Sequence, residues 1–365
     1  MSALAVKHNA INLSQGFPDF PIDARLAHLV HEAMLQGYNQ YAPMPGLPAL
    51  RAAIAADFAK RYAVTTDGDT EVTITPGATY GIYTAFATIL EKGDEAIVLE
   101  PAYDSYIPGI EMAGGVPVKV PLRPVSFTPD WQRIKEAVTP RTKAIIINTP
   151  HNPTGAVWSA QDWQELAALV ADTGIFVLSD EVYEQIIFDG RQHLSVLQHS
   201  ALRERSFAIY SFGKAFHNTG WKMGYVIAPP SLTAAFRRIH QYLAFSVNTP
   251  VQQALAAYIP EEKESPSAML QARRDLFIEL MRDTPFVVDS PAAGSYFQLA
   301  SFKNLSSEGD KTFAEWLTIQ HGVATVPMSS FYSDGRDDQL LRFCFAKKEE
   351  TLRAAVARLK DLTGF

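Results

Sequence analysis

Residues 211–225 read SFGKAFHNTGWKMGY. Two lysines, Lys214 and Lys222, stand there among glycines, aromatics and aliphatics, with no acidic residue inside the stretch. An apolar, strand-like run, FAIYSF (207–212), leads into it. An ammonium in apolar surroundings is strongly disfavoured unless it is paired or gives up its charge. The partners of both lysines must therefore come from distant parts of the chain or from a ligand.

Moving outward, residues 70–230 alternate short β-rich runs with longer helical patterns. The strand candidates are EVTITP (71–76), EAIVLEP (95–101), VPVKVPL (116–122), KAIIINTP (143–150), IFVLSDE (175–181), SFAIYSF (206–212) and MGYVIAP (223–229). Helical stretches such as YGIYTAFATILEKG (80–93) and SAQDWQELAALVADTG (159–174) separate several of them, and Ser159 suits an N-cap. Apolar strands joined by helical crossovers predict a mostly parallel α/β sheet covered on both faces. Ligands of such sheets bind beyond the carboxyl ends of the strands.

The polar stretch EEKESPS (261–267) reads as a domain boundary. After it, the helix SAMLQARRDLFIELMRD, strands near FVVDS, GSYFQLA and VATVP, and the closing pair LLRFCFAKKEETLRAAVARLKDL suggest a smaller α+β domain. The segment up to about residue 24 shows little regular pattern and is expected to pack against that domain. The division expected is 25–265 against 1–24 plus 266–365.

With 47% hydrophobic and 19% charged residues in 365, the chain has ample material for large cores. A net charge of −7, and no basic block beyond FRRIH (236–240), argue against nucleic-acid binding. Cys344 is the sole cysteine, which excludes an intrachain disulfide and a cysteine-based metal site. MSALAVKHNA lacks the apolar core of a signal peptide, and no apolar run reaches the ~18 residues of a membrane span, so a cytoplasmic protein is expected.

Four further stretches carry chemistry. TPGATYG (75–81) ends a strand at a glycine and starts a helix at once, aiming free N–H groups at one spot, although such junctions are also ordinary. NTPHNPTG (148–155) closes a strand in a tight turn. SDEVY (179–183) puts Asp180 at the end of an apolar strand, where a carboxylate needs a cationic or donating partner unless it merely caps a helix. In LLRFCF (340–345), alternation sets Arg342 on the face of Cys344 and Ala346, with room for a small anion beside it, unless it is an edge arginine in solvent. One ligand would satisfy all these groups. Pyridoxal 5′-phosphate has an anion for the helix end, a protonatable ring nitrogen for Asp180 and an aldehyde for Lys214.

Taken with SQGFPDF (14–20), NQYAPMPGLPALR (39–51), EPAYDSY (100–106) and FSVNTPVQ (245–252), these motifs run through the whole chain in order. The sequence resembles the fold type I, pyridoxal-phosphate-dependent aminotransferases of class I/II, above all the kynurenine, glutamine and methionine aminotransferase branch. The resemblance implies a large domain with a seven-stranded, mostly parallel sheet and a smaller α+β domain. It implies that Lys214 holds the cofactor as a Schiff base and shuttles a proton, that Asp180 keeps the ring nitrogen protonated, and that Asn152 and Tyr183 bond its 3-hydroxyl oxygen. Tyr103 would stack on the ring; Ala78, Thr79, Ser211 and Lys222 would hold the phosphate.

For the substrate, the resemblance implies that Arg342 grips the α-carboxylate, helped by Asn152 and the backbone of Gly16. Tyr41 would reach the phosphate of a neighbouring subunit, implying a homodimer with shared sites. The reaction implied moves an amino group from an amino acid to a 2-oxo acid by a ping-pong route, with β-elimination from cysteine S-conjugates as an alternative on the same site. Phe17, Tyr41, Phe245 and Phe331 are expected around the pocket, and AFSVNTP holds no cation, which favours methionine, aromatic residues or glutamine over aspartate. Members of the branch usually carry a further arm ahead of SQGFPDF, and here that arm is expected to be either trimmed or absent. His217 lies close by, but Lys214 already fills the role of base.

Overall fold

The computed structural model describes residues 1–261, 265–360 and 362. Its strands are β1 (Ile11–Asn12), β2 (Val72–Thr75), β3 (Glu95–Glu100), β4 (Val116–Pro121), β5 (Thr142–Asn148), β6 (Phe176–Asp180), β7 (Ser206–Ser211), β8 (Gly224–Ile227), β9 (Phe297–Ser301), β10 (Val323–Ala324), β11 (Val326–Pro327) and β12 (Leu340–Cys344). Seven of them form one sheet in the order β2-β8-β7-β6-β5-β3-β4. Only β8 runs antiparallel to its neighbours, β2 and β7. All seven strand candidates of residues 71–229 lie in this sheet.

Side-chain alternation explains why the sheet needs two covers. Ile97, Ile145, Val177 and Ala208 enter a core with Leu50, Phe58, Trp163 and Leu255 from the helices Pro48–Tyr62, Ala160–Val170 and Thr249–Tyr258. Their chain neighbours Val98, Ile146, Leu178 and Phe207 enter the opposite core, with Phe86 and Ile110 from the helices Ala78–Ile89 and Tyr106–Met112. Each fully buried side chain of this size stabilises the fold by about 1.5–3 kcal/mol before entropy. Ser159 caps its helix as expected, in a capping box with Asp162.

A third core belongs to the small unit. It joins Leu270, Phe277, Phe297, Phe313, Phe343, Leu352 and, from near the amino terminus, Leu13. There β9 and β11 flank β12 in an antiparallel sheet, and β1 pairs in parallel with β10. VATVP is thus split between two sheets, with β10 and β11 each of two residues. The first residues are more regular than their sequence suggests, since Ser2–Lys7 is a helix. Tyr183, Ile186 and Phe188 lean from the large unit into this core. These cores support the division 25–265 against 1–24 plus 266–365, which we propose; the boundary read at 261–267 falls partly outside the described residues.

Candidate active site

The site lies past the carboxyl ends of the parallel strands, where a switch in chain direction opens a crevice. Residues 77–79 follow β2, Tyr103 follows β3, Asn152 follows β5, Asp180 ends β6 and Ser211 ends β7. Because β8 is antiparallel, its entry rather than its exit faces the same side, and this places Lys222 there. A cavity of about 690 Å³ is lined by all of these residues together with Gly16, Tyr183, Lys214 and Arg342.

At one end is a cationic cup. The helix Ala78–Ile89 starts at Gly77, whose φ of 89° belongs to glycine, and its first N–H groups have no carbonyl a turn earlier to bond. A Cβ on Gly77 would sit 3.5 Å from Lys222 Nζ, so the ammonium lies against the helix start. Lys222 itself takes a left-handed conformation (φ 55°) that turns it toward the cup. Thr79 Oγ1 and the Tyr103 hydroxyl are 3.3 Å apart.

Lys214 occupies the middle. Its Nζ donates to the Gly16 carbonyl at 3.0 Å and lies 5.3 Å from the centroid of the Tyr183 ring. Burial lowers its pKa to about 8, with the cations Arg342 and Lys222 also pushing it down and Asp180 pulling the other way. Asp180 is pushed up to about 6 by burial, against hydrogen bonds from the Tyr106 hydroxyl and the Val182 N–H and the charge of Lys214. A carboxylate so placed gains strongly from a further cationic donor. Burial also pushes the Tyr183 phenol well up, leaving it a donor at neutral pH.

Arg342 closes the far end. Its Nη1 donates to Asn152 Oδ1 at 2.7 Å and its Nη2 to the Ser14 carbonyl at 2.8 Å. Burial lowers its pKa to about 10, so it stays charged. The reading as an edge arginine in solvent is excluded, because the residue is 7% exposed. The space beside it is not left by Cys344 and Ala346, as alternation suggested. Phe297 and Phe331 cover the guanidinium plane, with centroids 3.9 and 4.8 Å from Cζ, and leave the planar edge for an anion. Nε is buried without a hydrogen-bond partner.

All the residues named for cofactor and substrate line this cavity except Tyr41, which is 81% exposed and packs edge-on against Phe245. Gly16 turns its carbonyl to Lys214, and a Cβ there would fall 2.5 Å from the Phe297 ring. Of the four aromatics expected around the pocket, Phe331 lines it and the other three do not, since Phe17 lies under Lys347 Nζ and Phe245 pairs with Tyr41. Four contributors went unread. Tyr106 stands three residues after Tyr103 in EPAYDSY, a spacing that points both inward; Phe297 and the exposed pair Lys311 and Glu315 arrive through tertiary packing alone.

Comparison with known proteins agrees with this geometry. Residues 8–359 match the family "Aminotransferase class I and II". The chain belongs to that family. It is 46% identical to a methionine aminotransferase of Escherichia coli, covering 99% of this chain and 94% of the relative. It is 33% identical to human kynurenine–oxoglutarate transaminase 1, over 98% and 93%. The structure of an N-succinyldiaminopimelate aminotransferase from Mycobacterium tuberculosis superposes with a TM-score of 0.95 at 40% identity, covering 100% of this chain and 96% of that one. The fold is thus that of a fold type I aminotransferase, and the protein is an aminotransferase.

The family implies pyridoxal phosphate, and the donor set fits it. The cup of helix N–H groups, Lys222 and hydroxyls suits a phosphate. Asp180 has no ion-pair partner among the described residues, and Lys214 is the cation whose charge favours its ionised form. Among the described residues neither lysine has a carboxylate in ion-pair range; the burial the sequence suggested holds only in part, since Lys214 is half-buried and Lys222 is exposed at the rim of the cavity, where water as well as an anion can reach its charge.

Proposed function

We propose that this aminotransferase takes the α-amino group of methionine or another large uncharged amino acid, an aromatic residue or glutamine, and gives it to a 2-oxo acid, with pyridoxal phosphate held by Lys214. The observation that carries this reading is the Arg342 fork, packed against the Phe297 and Phe331 rings with its Nε free, on the same cavity as the lowered Lys214 amine. Arg342 and Asn152 would bind the α-carboxylate and so turn Cα toward Lys214. Lys214 would take the Cα proton and return it to the other end of the reacting system. Pyridoxal phosphate supplies the electron sink that makes this proton removable. Asp180 would hold a proton on the ring nitrogen, Tyr183 and Asn152 would orient the ring through its 3-hydroxyl oxygen, and Tyr103 would cover its face. Donor and acceptor share the one Arg342 clamp, so the first product leaves before the second substrate enters, a ping-pong order.

The apolar part of the cavity lining includes Ile82, Phe297, Val326, Pro327 and Phe331. Lys311 and Glu315 also line the cavity, one turn apart, so that pair adds no net charge. The identity to a methionine aminotransferase supports the same choice. Comparing kcat/KM for methionine, phenylalanine, glutamine and aspartate tests it, and an aspartate preference would overturn the pocket reading. A cysteine S-conjugate, incubated without a 2-oxo acid and read for pyruvate, ammonia and the released thiol, measures β-elimination.

We also propose a cytoplasmic homodimer in which Tyr41 serves the neighbouring site. Tyr41, Tyr242 and Leu35 are 81%, 89% and 75% exposed, large apolar groups of the kind that partner chains cover. Among the described residues no helix is long and apolar enough to cross a membrane.

A further inference from the structure

One buried charged cluster has no part in the mechanism above. Glu181, the residue after Asp180, is 0% exposed. Its Oε1 accepts from Ser179 Oγ at 2.8 Å and from the Val196 N–H at 2.9 Å. Its Oε2 is 2.8 Å from His193 Nε2 and accepts from the Tyr210 hydroxyl at 3.0 Å. Four partners from β6, β7 and the 193–196 turn thus saturate one carboxylate. Burial opposes its charge, but His193 and the two other closest donors hold its pKa below the usual value.

The cluster is placed to act on Asp180. Consecutive residues at a strand end point to opposite faces, so Asp180 reaches the cavity while Glu181 is locked into the core behind it. Between them the backbone is held on both flanks: the Glu181 N–H donates to the Ile209 carbonyl, and Asn148 Nδ2 donates to the Asp180 carbonyl at 2.8 Å. Asn148 Oδ1 also accepts from the Asn152 N–H at 2.8 Å, tying the same strand end to the turn that carries Asn152.

We propose that Glu181 is a positioning residue for the reaction: its four-donor cage on the far side of the sheet sets where Asp180 meets the ring nitrogen of the cofactor. The inference rests on the reading of Asp180 given above. A cage that slackens lets the Asp180 carboxylate drift, and a contact that matters most as charge develops is the first to suffer.

A double-mutant cycle tests it. Glu181→Gln, Asp180→Asn and the double variant are prepared without cofactor, checked for melting temperature, and titrated with pyridoxal phosphate; kcat and KM for methionine are then measured. Glu181→Gln should weaken cofactor binding about tenfold and lower kcat by a similar factor, with KM changed less than about twofold. In the Asp180→Asn background the same substitution should add less than about twofold to either loss. Equal losses in both backgrounds would make Glu181 a merely structural residue and overturn the proposal. No effect of Glu181→Gln beside a large effect of Asp180→Asn would overturn it too, while leaving the reading of Asp180 intact. No effect of Asp180→Asn would overturn that reading first. If Glu181→Gln does not fold, Tyr210→Phe removes one donor and is run through the same cycle, with about a threefold loss expected only when Asp180 is present.

Discussion

At the scale of single residues, Lys214 and Asp180 are tuned in opposite directions by the same burial, and each shift has a measurable sign. A lysine lowered to about 8 is mostly free amine above that pH. The rate at which cofactor-free protein captures pyridoxal phosphate should therefore rise about tenfold per unit below pH 7 and level off above about pH 9. With an ordinary lysine near 10.4 the rise would continue to about pH 11. Stopped-flow absorbance distinguishes the two. Borohydride should then fix the cofactor to Lys214 and to no other lysine, and Lys214→Ala should lower kcat by roughly a thousandfold or more.

Asp180 has a folded-state pKa of about 6, above the usual carboxylate value near 4. Its burial therefore costs nothing below about pH 4, and the cost grows through pH 4–6 and is complete above about pH 6. Asp180→Asn should thus raise the melting temperature of the cofactor-free protein at pH 8 by a few degrees while losing most of kcat, a gain of roughly 1–3 kcal/mol. A lower melting temperature at pH 8 would show that the carboxylate is not strained in the empty cavity. For Arg342, lysine keeps the charge and loses the fork, so Arg342→Lys should cut kcat/KM at least about tenfold for every amino-acid donor. A loss under about threefold for methionine would remove Arg342 from the site. Residues at strand ends were legible in sequence because a polar group after an apolar run is an anomaly. Phe297, which stacks on Arg342, was not legible, since an apolar residue inside an apolar strand announces nothing.

Among the elements, the large sheet was readable because its strands are buried on both faces and their crossovers are amphipathic helices. The exceptions are instructive. The helix Ser2–Lys7 is a short piece held by packing, with Ala5 its one buried residue, and leaves almost no periodic signal. VATVP looks like one strand, but Thr325 sits between β10 and β11, where the chain passes from one sheet to another. The capping box at Ser159 was visible as a spacing, and it predicts a separable effect. Ser159→Ala should lower stability by about 1 kcal/mol through the lost cap and leave kcat and KM unchanged. Chemical denaturation beside steady-state kinetics checks both halves.

At the scale of the whole molecule, the dimer proposal is tested by complementation. Sedimentation should first give a mass near twice the 40.3 kDa of one chain. A chain with Lys214→Ala and a chain with Tyr41→Phe are then mixed under conditions that exchange subunits. If Tyr41 serves its neighbour, a mixed dimer contains one site with both residues intact, and activity rises above that of either parent. If activity stays at the average of the parents, Tyr41 works within its own chain or not at all. Only the family resemblance raised this role for Tyr41; within a single chain it is an exposed aromatic that points away from its own site.

The amino-terminal segment is stitched to the last part of the chain. The Leu13 carbonyl accepts from the Cys344 N–H, the Ser14 carbonyl from Arg342, and the Phe17 carbonyl from Lys347, while Asp19 accepts from the Lys348 N–H and from Thr351. During synthesis these early residues leave the ribosome long before their partners at 342–351 exist, although Lys214 and its strand can already have folded. A growing chain at that stage holds Lys214 without Arg342, the residue proposed above to clamp the α-carboxylate. The amino-terminal strand and loop can therefore complete their hydrogen bonds only once translation delivers residues 342–351, so the last part of the chain to be made fixes the first.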